Sequence, residues 1–308
     1  MVICTLSSKE VQLMKNSFKL HLRLVCLNCM LLIAGCSDNN HSEKNVVQQQ
    51  PAPVRHQDRF GRYDSIGNLG GKPVSIPSGV VFTWVRYIGD PGDFDSSIKA
   101  QLYNRPPVTY QLPIESFGFQ YRLTDGAVKA SSEQTDADYM HDNITLIPKM
   151  KPFPWGHVIV YNIVDLNKPR NYNLALEESL QATKKVYHFN YIKQSEPVYG
   201  LIYLKANNGI DPSTNKPWKE DTSGPDIFIS KNKNDEIKTY IECDFIGKVQ
   251  YCSHLFYIDN NMHVTISISY NRVYLKLWQQ TEKNITAILN SWIVTNDGKL
   301  IKKQAGKI

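Results

Sequence analysis

Residues 238–270 read KTYIECDFIGKVQYCSHLFYIDNNMHVTISISY. Lys238–Phe245, Gln250–Ile258 and His263–Tyr270 read as strands, and apolar and polar residues alternate along the last. A period of two marks strands that bury one face. Val264, Ile266, Ile268 and Tyr270 alternate there with Thr265, Ser267 and Ser269. Gly247-Lys248 suits a two-residue hairpin turn with glycine first, and Asp259-Asn260-Asn261 suits the next turn. The stretch therefore predicts an antiparallel meander. Its first turn sets a register in which Ile246 faces Val249 and Cys243 faces Cys252. Counted from a hydrogen-bonded pair at Ile246–Val249, the cysteines fall in a non-hydrogen-bonded pair, where side chains approach most closely.

Working outward, Val198–Lys205 and Asp226–Ser230 read as further strands. A helix follows the meander over about Val273–Ile293, with Trp278, Thr281, Ile285, Ile288, Leu289 and Trp292 as its inward stripe. Before the strands, Leu176, Leu180, Thr183 and Tyr187 step by four, three and four, and Asn173 is placed to cap that helix. The expected class is α+β, antiparallel sheets with the last helix on one face. Upstream, 60–165 reads as short strands joined by long connections. PVSIP (73–77) leads into the apolar run Val80–Ile88. Phe117, Phe119, Tyr121 and Leu123 alternate with smaller or polar residues, and HVIVYNIV (157–164) reads as a strand buried on both faces. A break at Asp165–Asn173 divides the expected N-terminal β-rich lobe, 59–168, from a C-terminal α+β lobe, 169–308.

The N-terminus carries a different signal. Leu24–Gly35 is apolar, follows Lys15, Lys19 and Arg23, and ends in Ala34-Gly35 before Cys36. It is too short to span a bilayer, which takes about 20 residues, and it fits the centre of an export signal. Ile33-Ala34-Gly35-Cys36 resembles the lipobox of bacterial lipoproteins. That implies cleavage after residue 35 and acylation of Cys36, with Ser37 favouring the outer membrane, on its periplasmic side. Met14 is the expected start. Residues 36–58 are polar and rich in Gln, Asn and Pro, and read as a tether.

Removing 1–35 takes away four basic residues and one acid, so the net charge falls from +6 to about +3. No block of like charge suited to nucleic acid remains. Cys36, Cys243 and Cys252 are the cysteines left. Export to an oxidising compartment makes a Cys243–Cys252 disulfide the expectation. Cys26-Leu-Asn-Cys29 has no second pair at metal-ligand spacing.

No catalytic residues are assigned from the sequence. It holds neither GxSxG nor HExxH. GNLGGK (67–72) lacks phosphate-loop spacing, and Pro73 stands where Ser or Thr would bind magnesium. His254 and His263 read as ordinary sheet residues. Asp90, Asp93 and Asp95 lack the order of an EF-hand and its closing Glu. The same loop, with Phe94 at its tip, makes Asp93, Phe94 and Asp95 candidate contacts for a partner, the alternative being a solvated turn. No cofactor is expected.

RFGRYDSIGNLGGKPVSIPSGV (59–80), IGDPGDFD (88–95) and SFGFQYRL (116–123) resemble, together with the lipobox, a group of Gram-negative outer-membrane lipoproteins of type VI secretion loci. These are associated with immunity to lipase (phospholipase) effectors. The resemblance implies a periplasm-facing lipoprotein that binds a cognate secreted lipase and blocks it by occlusion. The residues themselves leave open a general envelope accessory lipoprotein that binds a protein or lipid, or a hydrolase with a site of another kind.

Overall fold

Strands form where the period-two alternation runs. The computed structural model describes residues 53–299 apart from 59, 83, 92–96, 98–102, 163–179, 182–189, 208–209, 212–213, 218–223, 247–248 and 259–261. In chain order the elements are β1 (Ser65–Leu69), β2 (Lys72–Ile76), β3 (Arg86–Tyr87), β4 (Ile114–Arg122), α1 (Glu133–Leu146), β5 (Trp155–Asn162), β6 (Asn190–Lys193), β7 (Ile202–Asn207), β8 (Ile210–Asp211), β9 (Lys216–Pro217), β10 (Asp226–Lys231), β11 (Ile237–Ile246), β12 (Val249–Ile258), β13 (Val264–Asn271), a 3-10 segment (Arg272–Leu277) and α2 (Trp278–Ser291).

A nine-stranded sheet runs β3-β4-β5-β13-β12-β11-β10-β7-β6, with every neighbouring pair antiparallel. The class is α+β. β10 to β13 form the meander that the alternation predicts. Strands from both sides of the expected break at Asp165–Asn173 lie in this one sheet, because β5 pairs along β13, with Val264 opposite Asn162 and Ser269 opposite His157. The break itself, and nearly all of the expected helix at 173–187, fall outside the described residues. Of that helix, Leu180 is buried with Ile227, Ile229, Ile237 and Tyr240 on the second face of the sheet.

The hairpin register is Ile246 opposite Val249 and Cys243 opposite Cys252. The two sulfurs are bonded at 2.02 Å, and both cysteines are buried.

α2 closes the first face. Trp278, Thr281, Ile285 and Leu289 are its buried residues, and Trp292 follows them onto the aromatic rings of β4. Its ring centroid lies 5.5 Å from Phe119, edge to face, and 6.1 Å from Phe117. Such pairs add to the burial of their area. The helix expected from Val273 begins instead as the 3-10 segment, capped by the Asn271 side chain, which accepts from the Val273 amide at 3.1 Å. β-branched Val273 and aromatic Tyr274 are indifferent α-helix formers. The β1–β2 hairpin sits at the end of α2, where the Val294 amide donates to the Pro73 carbonyl and the Ser75 amide to the Trp292 carbonyl, each at 2.9 Å. Its turn needs glycine at Gly70, with φ +57°, where a Cβ would lie 2.5 Å from the His263 amide nitrogen.

One polar cluster is built into the covered face. His254 is 0% exposed, with Nε2 2.9 Å from Glu282 Oε1 on α2 and Nδ1 3.2 Å from the Tyr270 hydroxyl. Thr239 donates to the same Glu282 oxygen at 2.8 Å. Burial, reinforced by Glu282, drives the Tyr270 hydroxyl pKa far up, so it stays a donor. His254 is thus a tie between β12 and α2, with its partners in place.

Two expectations need correction. β5 is buried on one face only: Val158 and Val160 are buried, whereas Ile159 is half-buried and Tyr161 exposed. The 14-residue helix α1 lies in a region read as strands and connections. It was missed because none of its residues is buried. It is held by polar and aromatic contacts. Ser132 and Thr135 form a reciprocal cap. Asp142 accepts from Trp155 Nε1 at 2.8 Å, and Asp138 accepts from Arg122 at 2.8 Å. Tyr139 packs edge-on against Trp155 at 5.3 Å.

The disulfide closes a short loop within the central meander. Replacing both cysteines, Cys243→Ser with Cys252→Ser, is expected to lower unfolding free energy by about 2–3 kcal/mol, read as a shift of the urea midpoint with unchanged slope.

Candidate protein-binding surface

The turn that opens the described chain is organised by one carboxylate. Asp58 accepts from the amides of Phe60 at 2.8 Å and Arg62 at 2.9 Å, from Arg62 Nε at 2.7 Å and from the Ser78 hydroxyl at 2.9 Å. Desolvation pushes its pKa up, but these hydrogen bonds outweigh it and hold the carboxyl well below its usual range. The turn presents Phe60 at its tip, 67% exposed, with the Arg62 guanidinium 5.3 Å from the ring centroid. Asp64 then ties the segment to β2 and the turn after it, accepting from the Ser75 hydroxyl at 3.0 Å and the Ser78 amide at 3.3 Å.

Opposite stands the loop into α1. β4 feeds it through the Tyr121–Val128 bridge. Between the two walls lies a cleft of about 1070 Å³ floored by Val80, Ile288 and Trp292. Phe60, Arg62, Lys129, Ser132 and Asp136 line its sides. Gly79 sets the closest approach of the walls, since a Cβ there would lie 3.1 Å from the Ala130 carbonyl oxygen.

From the cleft the chain runs along the outer edge of β4. Val81 bridges Phe119, the Phe82 amide donates to the Gly118 carbonyl at 2.8 Å, and β3 pairs irregularly with Ile114 and Ser116. The inward side chain Tyr87 is buried, while Phe82, Trp84 and Ile88 point out, Trp84 at 82% exposure. A sheet edge carrying exposed apolar side chains is a ready place for another chain to dock.

The edge ends in a clasp. Asp90 receives Arg105 Nε at 2.9 Å and Nη2 at 2.7 Å, the Tyr87 amide at 2.9 Å and the Tyr103 hydroxyl at 3.2 Å. Desolvation raises the Asp90 pKa, but the amide and the two-pronged arginine contact outweigh it and leave it lowered. Asp90, the first acid of the run 90–95, is thus taken up by Arg105. Among the described residues no group of three His, Cys, Asp or Glu is arranged to hold a metal ion.

Of the residues singled out in the sequence, Cys243 and Cys252 are brought together. Cys36, Asp93, Phe94 and Asp95 lie outside the described residues. Phe60, Phe82 and Trp84 were passed over. For Phe82 and Trp84 the signal is in VVFTWVRYI (80–88), where both alternating sets are mostly apolar, more than one buried face requires; Phe60, in RFGRY, has no such pattern around it.

No family model matches this sequence, and no curated protein matches it. Among solved structures, a structural neighbour is an immunity protein of a secretion system. It is Smlt3025, of the Stenotrophomonas maltophilia type IV secretion system, with a TM-score of 0.46 and 13% identity over 79% of this chain and 99% of that one.

The clasp makes a test of the loop base. Asp90 is charged and paired at neutral pH, so its contribution is present above the ordinary carboxylate range and is lost as pH falls through its lowered pKa. Asp90→Asn is expected to destabilise the fold by about 1–2 kcal/mol at pH 7, discounted for the half-exposed arginine. The gap between variant and parent should close in acid, followed by thermal melts across pH.

Proposed function

We propose that this chain is an immunity-type lipoprotein, anchored through Cys36 to the outer membrane and facing the periplasm, that binds a secreted lipase effector and neutralises it by occlusion. The observation that carries the reading is convergence. The described residues of the stretches that carry the resemblance, 59–80, 88–95 and 116–123, come from separate parts of the sequence and adjoin in the fold. The first builds one wall of the cleft and the β1–β2 hairpin. The last is β4, paired through Val81 and Phe82 to the segment that leaves the cleft. The second begins where that segment meets the Asp90 clasp.

The surface so formed suits binding. Asp58 and Asp64 at the cleft are held by neighbouring hydroxyls, amides and Arg62. Phe60 and Trp84 are held out to solvent. Aromatic side chains displayed on a rigid frame are typical interface anchors, where a few residues supply most of the binding energy. A shaped plug that covers an active-site mouth needs no reactive group of its own.

The experiment asks whether a secreted lipase is encoded beside this chain and pairs that lipase with the mature chain; a transport or assembly operon in its place would favour the general envelope lipoprotein instead. Stoichiometric protein is expected to abolish lipase activity, and Trp84→Ala or Phe60→Ala to weaken the complex by about 2 kcal/mol, roughly thirtyfold in Kd. Unchanged lipase activity at saturating protein would sink the reading. Loss of palmitate labelling in Cys36→Ala checks the anchor separately.

A further inference from the structure

α1 is built inside out. The residues that fix it to the domain are polar or aromatic: Asp138 on Arg122, Asp142 on the Trp155 indole, and Tyr139 between Phe153 and Trp155. Its apolar residues face solvent. Met140, Ile144 and Ile147 step by four and three along one ridge, and Ile144 is 68% exposed. The ridge continues into a closed turn, in which the Lys149 and Lys151 amides donate to the Leu146 carbonyl and the Met150 amide to that of Ile147. Met150, with φ +52°, is exposed there between two exposed lysines.

We propose that this ridge and the turn after it dock on an anionic lipid surface, the one to which the chain is tethered. The charge distribution selects that occupant. Glu133 and Asp136 sit at the cleft end of the helix, where they would repel anionic headgroups. The apolar ridge starts one turn on at Met140 and runs to the other end, Ile147 lying about 20 Å from Glu133 along the axis, with Lys149 and Lys151 just beyond; the acids between, Asp138 and Asp142, are taken up by Arg122 and the Trp155 indole. An apolar ridge ending in lysines fits the headgroup–acyl boundary: the side chains of Met140, Ile144, Ile147 and Met150 enter it, while the ammonium groups reach back to phosphates. Residues 36–52 join Cys36 to the described fold and reach at most about 60 Å even fully extended, so an anchored domain stays within contact of its membrane. This clause rests on the acylation proposed for Cys36; the ridge itself does not.

The test uses the mature chain 36–308 carrying Cys36→Ser, so that no acyl chain contributes. It is expected to float with vesicles of phosphatidylethanolamine containing phosphatidylglycerol, and to do so far less with phosphatidylcholine. Ile144→Glu with Ile147→Glu, both at exposed positions, should reduce the bound fraction about tenfold without altering the thermal melt. Lys149→Glu with Lys151→Glu should remove the preference for phosphatidylglycerol and its salt dependence. No flotation of the parent, or flotation indifferent to the isoleucine changes, overturns the proposal. So does loss of lipase inhibition in the isoleucine variant, which would assign the ridge to a protein partner. Failed palmitate labelling of Cys36 would remove the anchor and leave the vesicle result standing.

Discussion

Alternation along β5, β12 and β13 gathers Val158, Val160, Phe256, Ile266 and Ile268 on one face of the sheet, and that face is dry because α2 lies on it. Much of the rest follows from this closure. Trp292 reaches Phe117 and Phe119 because α2 ends over β4. The chain leaving α2 then pairs with β2, which places the β1–β2 hairpin and, after it, the walls of the cleft. Each large side chain so covered contributes on the order of 1.5–3 kcal/mol relative to solvent exposure. The His254–Glu282 contact adds direction rather than bulk. The Glu282 carboxylate, shared by Thr239 and the buried His254, meets both partners in one seating of the helix, and another seating would leave His254 without its partner.

The meander and α2 were legible because their signals are local. Period two, a glycine-first turn and an apolar stripe at helical spacing each stand within a few residues of one another. The Cys243–Cys252 pairing could be read for the same reason. Pairing of β5 with β13 could not, because it joins residues about a hundred positions apart and no local pattern names the partner. That is why a break at 165–173 looked like a boundary between lobes, while strands on either side of it share one sheet. The Asp90–Arg105 clasp escaped for a related reason: the acid was noticed as part of an acidic run, and its partner lies fifteen residues on.

α1 was hidden by a physical inversion. A helix is normally found through the stripe it buries, and α1 buries none. Its capping pair Ser132–Thr135 departs from the Ser/Thr-x-x-Glu/Gln pattern, and its apolar residues mark the face turned away from the protein. The helix persists because each inward polar group has a specific receptor. Arg122 is held by both Asp125 and Asp138, and its guanidinium lies 5.0 Å from the Trp155 ring. Those carboxyls are held below their usual range chiefly by that arginine.

The same logic separates the two exposed apolar surfaces. Along Phe82–Ile88 the backbone is an irregular edge bound to β4 on one side, and its exposed residues include aromatic rings, which fit pockets and grooves. The ridge of α1 ends in flexible Met and branched Ile side chains between lysines, with no aromatic anchor; Glu133 and Asp136 lie in its first turn, and Asp138 and Asp142 are turned inward onto Arg122 and the Trp155 indole. A surface meant for a shaped protein partner gains from rigid rings beside fixed polar groups. A fluid partner offers no fixed polar groups to match, so it rewards adaptable apolar bulk and a cationic collar. The edge of β4 has the first character and α1 the second, and the two proposed partners would therefore meet different parts of one surface.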